Sequence, residues 1–164
     1  MYTIEHQDYI KILVADDDER VLDCYREAFG EEEQTNQMKA LDALAAELFD
    51  TGKHIRVEPK FDVVACSQGE EAIRVVEKAA AEGEPFDVVI LDVRMPPGID
   101  GVEAGSRIRK LDRNVEIVFV SGFSDIPFEE LQKRVPPPMH LHYFNKPLSF
   151  SQLAEEVVTM VGNH

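Results

Sequence analysis

The fold of this chain is decided by one stretch, Val88-Val89-Ile90-Leu91-Asp92-Val93-Arg94-Met95-Pro96. Four apolar residues run directly into one aspartate. A continuous apolar run this short is typical of a strand that is buried on both faces in the centre of a parallel sheet. Asp92 then lies at the carboxyl end of the strand, where open α/β sheets form their ligand crevice. A carboxylate in that position serves as a helix cap, a metal ligand or a nucleophile.

Outward from this stretch, short apolar segments alternate with helical patterns. The predicted strands are residues 11–15, 61–66, 86–91, 115–120 and 141–144. The first predicted helix has an acidic start and ends at Gly30. The others span residues 68–81, 100–111, 128–135 and Ser149 or Ser151 to Val161. This alternation predicts an α/β fold with a doubly wound, five-stranded parallel sheet.

Residues 31–60 do not fit the alternation. After the charge run 31–33, apolar residues recur at helical spacing before Gly52: Met38, Leu41, Leu44, Ala45, Leu48 and Phe49. This pattern predicts one extra amphipathic helix inserted between the first helix and the second strand. Its apolar face either covers the surface of its own domain or forms a surface for a homodimer or another partner.

Composition narrows the classes of protein and partner. At 164 residues and 18.5 kDa the chain predicts one domain. Its formal net charge of −15 argues against direct binding to nucleic acid or to anionic membranes. No apolar run approaches the roughly 20 residues of a membrane span, and residues 1–8 lack the apolar segment of a signal peptide. Cys24 and Cys66 share no metal or redox spacing, so we expect two small core residues in a reducing cytoplasm.

Polar residues follow four of the predicted strands. Asp16 and Asp17 end the first strand, Asp92 the third, Ser121 the fourth, and Lys146 follows the fifth. Because the carboxyl ends of parallel strands share one edge of the sheet, these groups should meet there. Clustered carboxylates repel one another unless a cation is present, and oxygen ligands suit Mg²⁺. The lysine and the hydroxyl would complete a cradle for a phosphoryl group.

Five motifs, each at a strand end or helix start, together resemble the receiver domain of two-component response regulators. They are ILVADDD (12–18), VILDVRMP (89–96), IDGVEA (99–104), VSG (120–122) and NKP (145–147). The resemblance covers residues 10–161 and implies a flavodoxin-like receiver fold. It divides the chain into a tail at 1–9 and a receiver domain at 10–162, with the helical insertion at 31–60.

The resemblance also implies the chemistry. Asp92 would accept a phosphoryl group from a histidine of a sensor histidine kinase or a phosphotransfer protein. Asp16, Asp17 and Asp92 would bind Mg²⁺ together with the backbone carbonyl of Arg94, and Lys146 would neutralise charge during the transfer. The chain would be a bacterial cytoplasmic signalling domain in a phosphorelay. It would not be an enzyme beyond its own phosphoryl transfer and dephosphorylation.

The switch follows from the same resemblance. Ser121 would hydrogen-bond the phosphoryl oxygens, Tyr143 would move from exposed to buried, and the small Gly122 would leave room for the donor. The surface of the fourth helix, fifth strand and fifth helix would then repack. The Lys146-Pro147 bond is a candidate cis peptide.

Two other functions remain as alternatives. The first is a receiver-like protein–protein interaction module that is never phosphorylated, although such a module has no chemical need for clustered carboxylates. The second is a phosphatase with an aspartyl nucleophile of the haloacid-dehalogenase type, which needs a second acid where this chain has Arg94. His140 and His142, without further ligands, are expected to be structural.

Two departures from the usual receiver pattern suggest the setting of the domain. The loop at 95–101 is one residue longer than the common form, and the insertion at 31–60 is larger. Both resemble receivers attached to sensor kinases or cyclic-nucleotide signalling modules, so we expect one domain of a larger protein.

Overall fold

A computed structural model describes residues 9–30, 60–122 and 126–162 of the chain. At its centre lies a sheet of five parallel strands. They are β1 (Tyr9–Ala15), β2 (Lys60–Cys66), β3 (Val88–Asp92), β4 (Glu116–Ser121) and β5 (Leu141–Asn145). Their order across the sheet is β2-β1-β3-β4-β5. The predicted doubly wound parallel sheet of the flavodoxin-like type is therefore confirmed.

Helices connect the strands. They are α1 (Glu19–Gly30), α2 (Gly69–Ala81), α3 (Gly101–Leu111), α4 (Phe128–Arg134) and α5 (Phe150–Gly162), with a short 3₁₀ helix (Pro138–His140) before β5. Side chains cap three of the helix starts. The Asp18 carboxylate accepts the Arg20 N–H at 3.0 Å before α1. The Asp100 carboxylate accepts the Glu103 N–H at 2.8 Å before α3, and the Ser149 hydroxyl accepts the Gln152 N–H at 3.4 Å before α5.

Some sequence predictions differ from the structure or lie outside the described residues. The extra helix predicted within 31–60 lies outside the described residues, apart from the strand residue Lys60. Tyr9, assigned to the N-terminal tail, instead begins β1. The prediction that both cysteines are core residues was wrong for Cys24, which is exposed on α1, and right for Cys66. Among the described helices, none is long and apolar enough to cross a membrane.

The core consists of two apolar layers, one on each face of the sheet. All of β3 is buried, because Val89 and Leu91 pack among residues of α2, α3 and α4 while Val88 and Ile90 pack among residues of α1 and α5. Strand side chains alternate between faces, so a strand covered on both sides must be apolar throughout. The apolar run that leads into Asp92 therefore lies at the centre of the core.

The order of the strands also places a crevice. β1 and β3 lie side by side, and the chain leaves β1 toward α1 on one face and β3 toward α3 on the other. Ligands of such sheets bind where neighbouring connections diverge, outside the carboxyl ends of the strands. Asp16 directly follows β1 and Asp92 ends β3, so both lie at this point.

A polar cluster occupies the opposite, amino-terminal end of β4 and β5. Glu116 is 3% exposed, and its carboxylate lies 2.8 Å from both His140 Nδ1 and His142 Nε2. Arg109 donates to the Val115 carbonyl at 2.6 Å and the His140 carbonyl at 2.8 Å. Burial lowers the pKa of Arg109, and the charge of Glu116 opposes that shift. The two histidines, which were predicted to be structural, thus share Glu116 as a specific partner.

Replacing Glu116 with alanine is expected to lower the free energy of unfolding by about 2–4 kcal/mol, because buried polar groups lose their partner. Urea unfolding measures this. The control is Glu82→Ala, whose exposed carboxylate lies 4.0 Å from Lys78 and should change stability by less than about 0.5 kcal/mol. An equal loss in the two variants would contradict the structural role of Glu116.

Candidate functional site

Three aspartates meet at the crevice between β1 and β3. Asp16, Asp17 and Asp92 each place one carboxylate oxygen within 4.8 Å of the other two. Asp16 and Asp92 are buried, at 1% and 7% exposure, whereas Asp17 is exposed. The site is therefore a pocket of negative charge that is closed below by the sheet and open to solvent at Asp17.

The two oxygens of Asp16 have different surroundings. Oδ1 accepts the Asp18 N–H at 2.9 Å. Oδ2 is buried and has no hydrogen-bond partner in the described parts of the chain, and Lys146 Nζ lies 4.0 Å away. The pKa of Asp16 is raised to about 6, mainly by burial and also by the charge of Asp92, against the lowering effects of the Asp18 N–H and Lys146. A bound cation would therefore stabilise the ionised form of the Asp16 carboxylate.

Asp92 is held from two sides. Lys146 Nζ donates to its Oδ2 at 3.3 Å, and the Arg94 N–H donates to its Oδ1 at 3.4 Å. Burial raises the pKa of Asp92, and Lys146 opposes the shift through its charge and its hydrogen bond. The backbone N–H of Lys146 donates to the Ser121 carbonyl at 2.8 Å, which ties the lysine to the end of β4. The Lys146-Pro147 peptide is cis, as expected.

The remaining predicted residues belong to β4, to the residue directly after it, and to β5. Ser121 is fully buried, and its hydroxyl donates to the Gly122 carbonyl at 2.8 Å. Among the residues that the structure describes, no atom lies within 4 Å of a Cβ placed on Gly122. Tyr143 is half-buried in β5, with its ring 6.2 Å from that of Phe128 between centroids. The structure thus brings the aspartates and Lys146 close together, and it places Ser121 and Gly122 at the end of β4 and Tyr143 within β5.

The donor set fits a hard divalent cation. All the groups are carboxylate oxygens, the ligands that Mg²⁺ prefers, and their separation within 4.8 Å suits a shared ion. The unpartnered Asp16 Oδ2 is a second indication, since a buried carboxylate oxygen otherwise loses its hydration without compensation. Asp16, Asp17 and Asp92 are the residues that would hold Mg²⁺.

One part of the site was not predicted from the sequence. Residues 93–100, which we call the β3–α3 loop, leave Asp92 and lead to α3. Side chains of Gln68 and Glu70, at the start of α2, hydrogen-bond the backbone of this loop. The sequence offers a weak signal, a glutamine rather than a usual capping residue before α2.

Comparison with known proteins agrees with this geometry. A model of the family described as the response regulator receiver domain matches residues 51–158. That match begins after β1, so Asp16 and Asp17 lie outside it, and the fold is what brings them to Asp92. The sensor kinase CckA of Brucella abortus is 30% identical over 101 residues, which are 62% of this chain and 10% of the kinase.

Solved structures share the architecture. A receiver domain protein of Methanospirillum hungatei superposes with a TM-score of 0.64 at 17% identity, over 94% of this chain and 95% of that one. The response regulator TrrA of Thermotoga maritima, solved in complex with Mg²⁺ and BeF, gives a TM-score of 0.57 at 22% identity, over 92% and 98% of the two chains. At these identities the likeness shows the fold alone.

Proposed function

This chain belongs to the response regulator receiver domain family, the signalling domain of two-component systems, and we propose that it is a switch operated by phosphorylation of Asp92. One observation carries the proposal: Asp92 ends the central strand between an acidic pair and Lys146, at 3.3 Å from the lysine. An isolated helix cap or a structural carboxylate would not require such a cluster of charge.

The transfer forms one bond and breaks another. A carboxylate oxygen of Asp92 attacks the phosphorus of a phosphohistidine, forming an acyl phosphate O–P bond. The P–N bond breaks, and its electron pair leaves with the imidazole nitrogen of the donor. Hydrolysis reverses the state, because water attacks the same phosphorus and returns the free carboxylate and inorganic phosphate. Positioning and charge neutralisation dominate the catalysis of such transfers.

The residues of this chain supply both the positioning and the charge neutralisation. Lys146 is close enough to Asp92 to stabilise the negative charge that develops on the phosphoryl oxygens during the transfer. Bound Mg²⁺ would supply further charge neutralisation and a template for phosphoryl oxygens. Asp16, Asp17, Asp92 and the backbone carbonyl of Arg94 would hold it. Gly122 has no side chain and would leave a donor room to approach.

Binding of Mg²⁺ is expected to weaken as the pH falls through about 6. The pKa of Asp16 is raised to about 6 by burial, so below this pH the metal must displace a proton. Affinity should then fall by about tenfold per pH unit for each proton displaced. Calorimetry in buffers of different ionisation enthalpy measures both affinity and proton release. An affinity that stays constant from pH 7 to 5 would contradict this assignment.

The output is proposed to travel through the surface of α4, β5 and α5. Phosphorylation would turn the Ser121 hydroxyl from the Gly122 carbonyl toward the phosphoryl oxygens. Gly122 would shift with it, and the Tyr143 ring would change its packing beside Phe128. A charge added at Asp92 would thereby be converted into a new partner surface.

The setting belongs to the same proposal. The domain would span residues 10–162 with an insertion at 31–60, work in the cytoplasm, and receive its phosphoryl group from a sensor histidine kinase or a phosphotransfer protein. The sensor kinase relative supports a place within a larger signalling protein, because its matching region is a tenth of its length.

Intact mass spectrometry tests the function. The folded protein is incubated with acetyl phosphate or phosphoramidate, with Mg²⁺ or with a chelator. We expect one phosphoryl adduct that depends on Mg²⁺ and disappears on later hydrolysis. If neither donor modifies a protein that demonstrably binds Mg²⁺, the switch is contradicted and the interaction module is favoured.

A further inference from the structure

The β3–α3 loop is clamped by side chains from the start of α2. The Gln68 amide donates from Nε2 to the Pro96 carbonyl at 3.3 Å, and its Oε1 accepts the Gly98 N–H at 3.1 Å. Glu70 Oε1 accepts the Ile99 N–H at 2.9 Å. Gln68 therefore pairs with the loop backbone through both ends of its amide. Three successive contacts fix the segment that begins two residues after Arg94.

Gln68 makes these contacts in place of the role usual at its position. It is the residue at the N-terminal cap of α2, with extended backbone angles of −142° and 154°, and its side chain makes no hydrogen bond to the helix. A capping side chain would normally accept an N–H of the first turn. The Glu71 carboxylate is instead turned back to the Ser67 N–H, at 3.2 Å. Glu71 thus contacts the backbone at the start of the helix, whereas Gln68 and Glu70 hold the loop.

The clamp is a close fit. A Cβ added to Gly98 would lie 2.5 Å from Glu70 Oε2 and 2.6 Å from Gln68 Oε1. A Cβ on Gly69 would lie 3.0 Å from Cγ1 of Ile99. The hydrogen bond from Ile99 also holds the pKa of Glu70 below its ordinary value, so the acceptor stays ionised near neutral pH. A side chain at position 98 would therefore push the Gln68 and Glu70 side chains away from the loop.

The clamp acts on the part of the loop that adjoins the proposed metal site. Met95 is 1% exposed and anchors the loop in the core, and the Pro96 carbonyl is the first clamped atom after it. Between Asp92 and these fixed points lies Arg94, whose N–H contacts Asp92 and whose carbonyl is the proposed fourth ligand. Holding a metal ligand through a second layer of hydrogen bonds typically changes affinity by about 10- to 100-fold.

We infer that Gln68 and Glu70 are positioning residues that set the Mg²⁺ affinity of the phosphorylation site by fixing the β3–α3 loop. The inference rests on the proposed function, since it concerns the same metal and the same transfer. It predicts an effect on metal binding that is separate from folding stability.

The test is a calorimetric titration with Mg²⁺ alone. It compares Gln68→Ala and Glu70→Ala with the wild type. Each variant should raise the Mg²⁺ dissociation constant by about tenfold. Phosphoryl incorporation should slow at low Mg²⁺ and return to within about twofold of wild type at saturating Mg²⁺, because only metal binding is impaired. Glu70→Gln, which keeps an acceptor for Ile99, should restore most of the affinity.

Glu71→Ala is the matched control, since it removes a helix-start contact of α2 that does not involve the loop. Its Mg²⁺ affinity should match wild type, whereas an equal loss would assign the effect to the helix and overturn the inference. Wild-type affinity in both clamp variants would also overturn it while leaving the switch intact. If the wild type itself neither binds Mg²⁺ nor is phosphorylated, the proposed function fails, and the inference fails with it.

Discussion

Replacing Asp92 with asparagine is expected to reduce phosphoryl incorporation from acetyl phosphate by roughly 10³-fold or more, to the level of the unmodified background. The amide is a poor nucleophile and cannot form an acyl phosphate. The fold should survive, because the substitution preserves size at a residue whose burial raises its pKa and disfavours the charged form. Intact mass and far-ultraviolet circular dichroism measure the two properties on the same sample.

Asp62→Asn is the control for this substitution, because Asp62 is an exposed residue of β2 away from the crevice. It makes the same chemical change and should be labelled like the wild type. Mg²⁺-dependent labelling of Asp92→Asn at the wild-type level would eliminate Asp92 as the phosphoacceptor.

The second large effect is expected for Lys146→Ala, which should slow phosphoryl incorporation by about 10²-fold. Lys146 Nζ lies 3.3 Å from Asp92 Oδ2 and 4.0 Å from Asp16 Oδ2, so its loss leaves the growing negative charge less compensated. The rate of adduct formation at saturating Mg²⁺ and fixed donor concentration measures the effect. Saturation by Mg²⁺ separates charge stabilisation from metal affinity.

Lys78→Ala provides the comparison for Lys146→Ala, since the Lys78 side chain is 77% exposed on α2. It should react at the wild-type rate. A rate for Lys146→Ala within a factor of about two of wild type would assign the lysine a structural role only.

The sheet and most of the site could be predicted because their causes are local. An apolar run covered on both faces predicts a buried strand, and parallel strands bring their carboxyl ends to one edge. Asp16, Asp92 and Lys146 follow from this rule although 76 and 54 residues separate Asp92 from the other two. Their meeting needed only the strand assignment.

Contacts that depend on side-chain reach could not be predicted. Gln68 contacts the loop 28 and 30 residues away through an amide that a sequence pattern reads as a helix boundary. Glu116 starts a strand, where a charged residue suggests solvent, yet two histidines from the neighbouring segment enclose it. No periodicity records such pairings.

Cys24 shows how a helical face decides burial. Leu22, Tyr25 and Phe29 of α1 turn toward the sheet and are each 2% exposed. Successive residues of a helix are about 100° apart, so Cys24 is about 200° from Leu22 and faces outward. The small size and apolar character of cysteine favoured a core position, but the face of the helix determined the outcome.

Phosphorylation of Asp92 is tested most directly by locating the acyl phosphate through chemical trapping. Borohydride reduces an aspartyl phosphate to homoserine with release of phosphate, and peptide mass spectrometry of the protein treated with acetyl phosphate and Mg²⁺ then identifies the position. We expect homoserine at residue 92 alone. Homoserine at Asp16 or Asp17, or phosphate that resists reduction on Ser121, would contradict it.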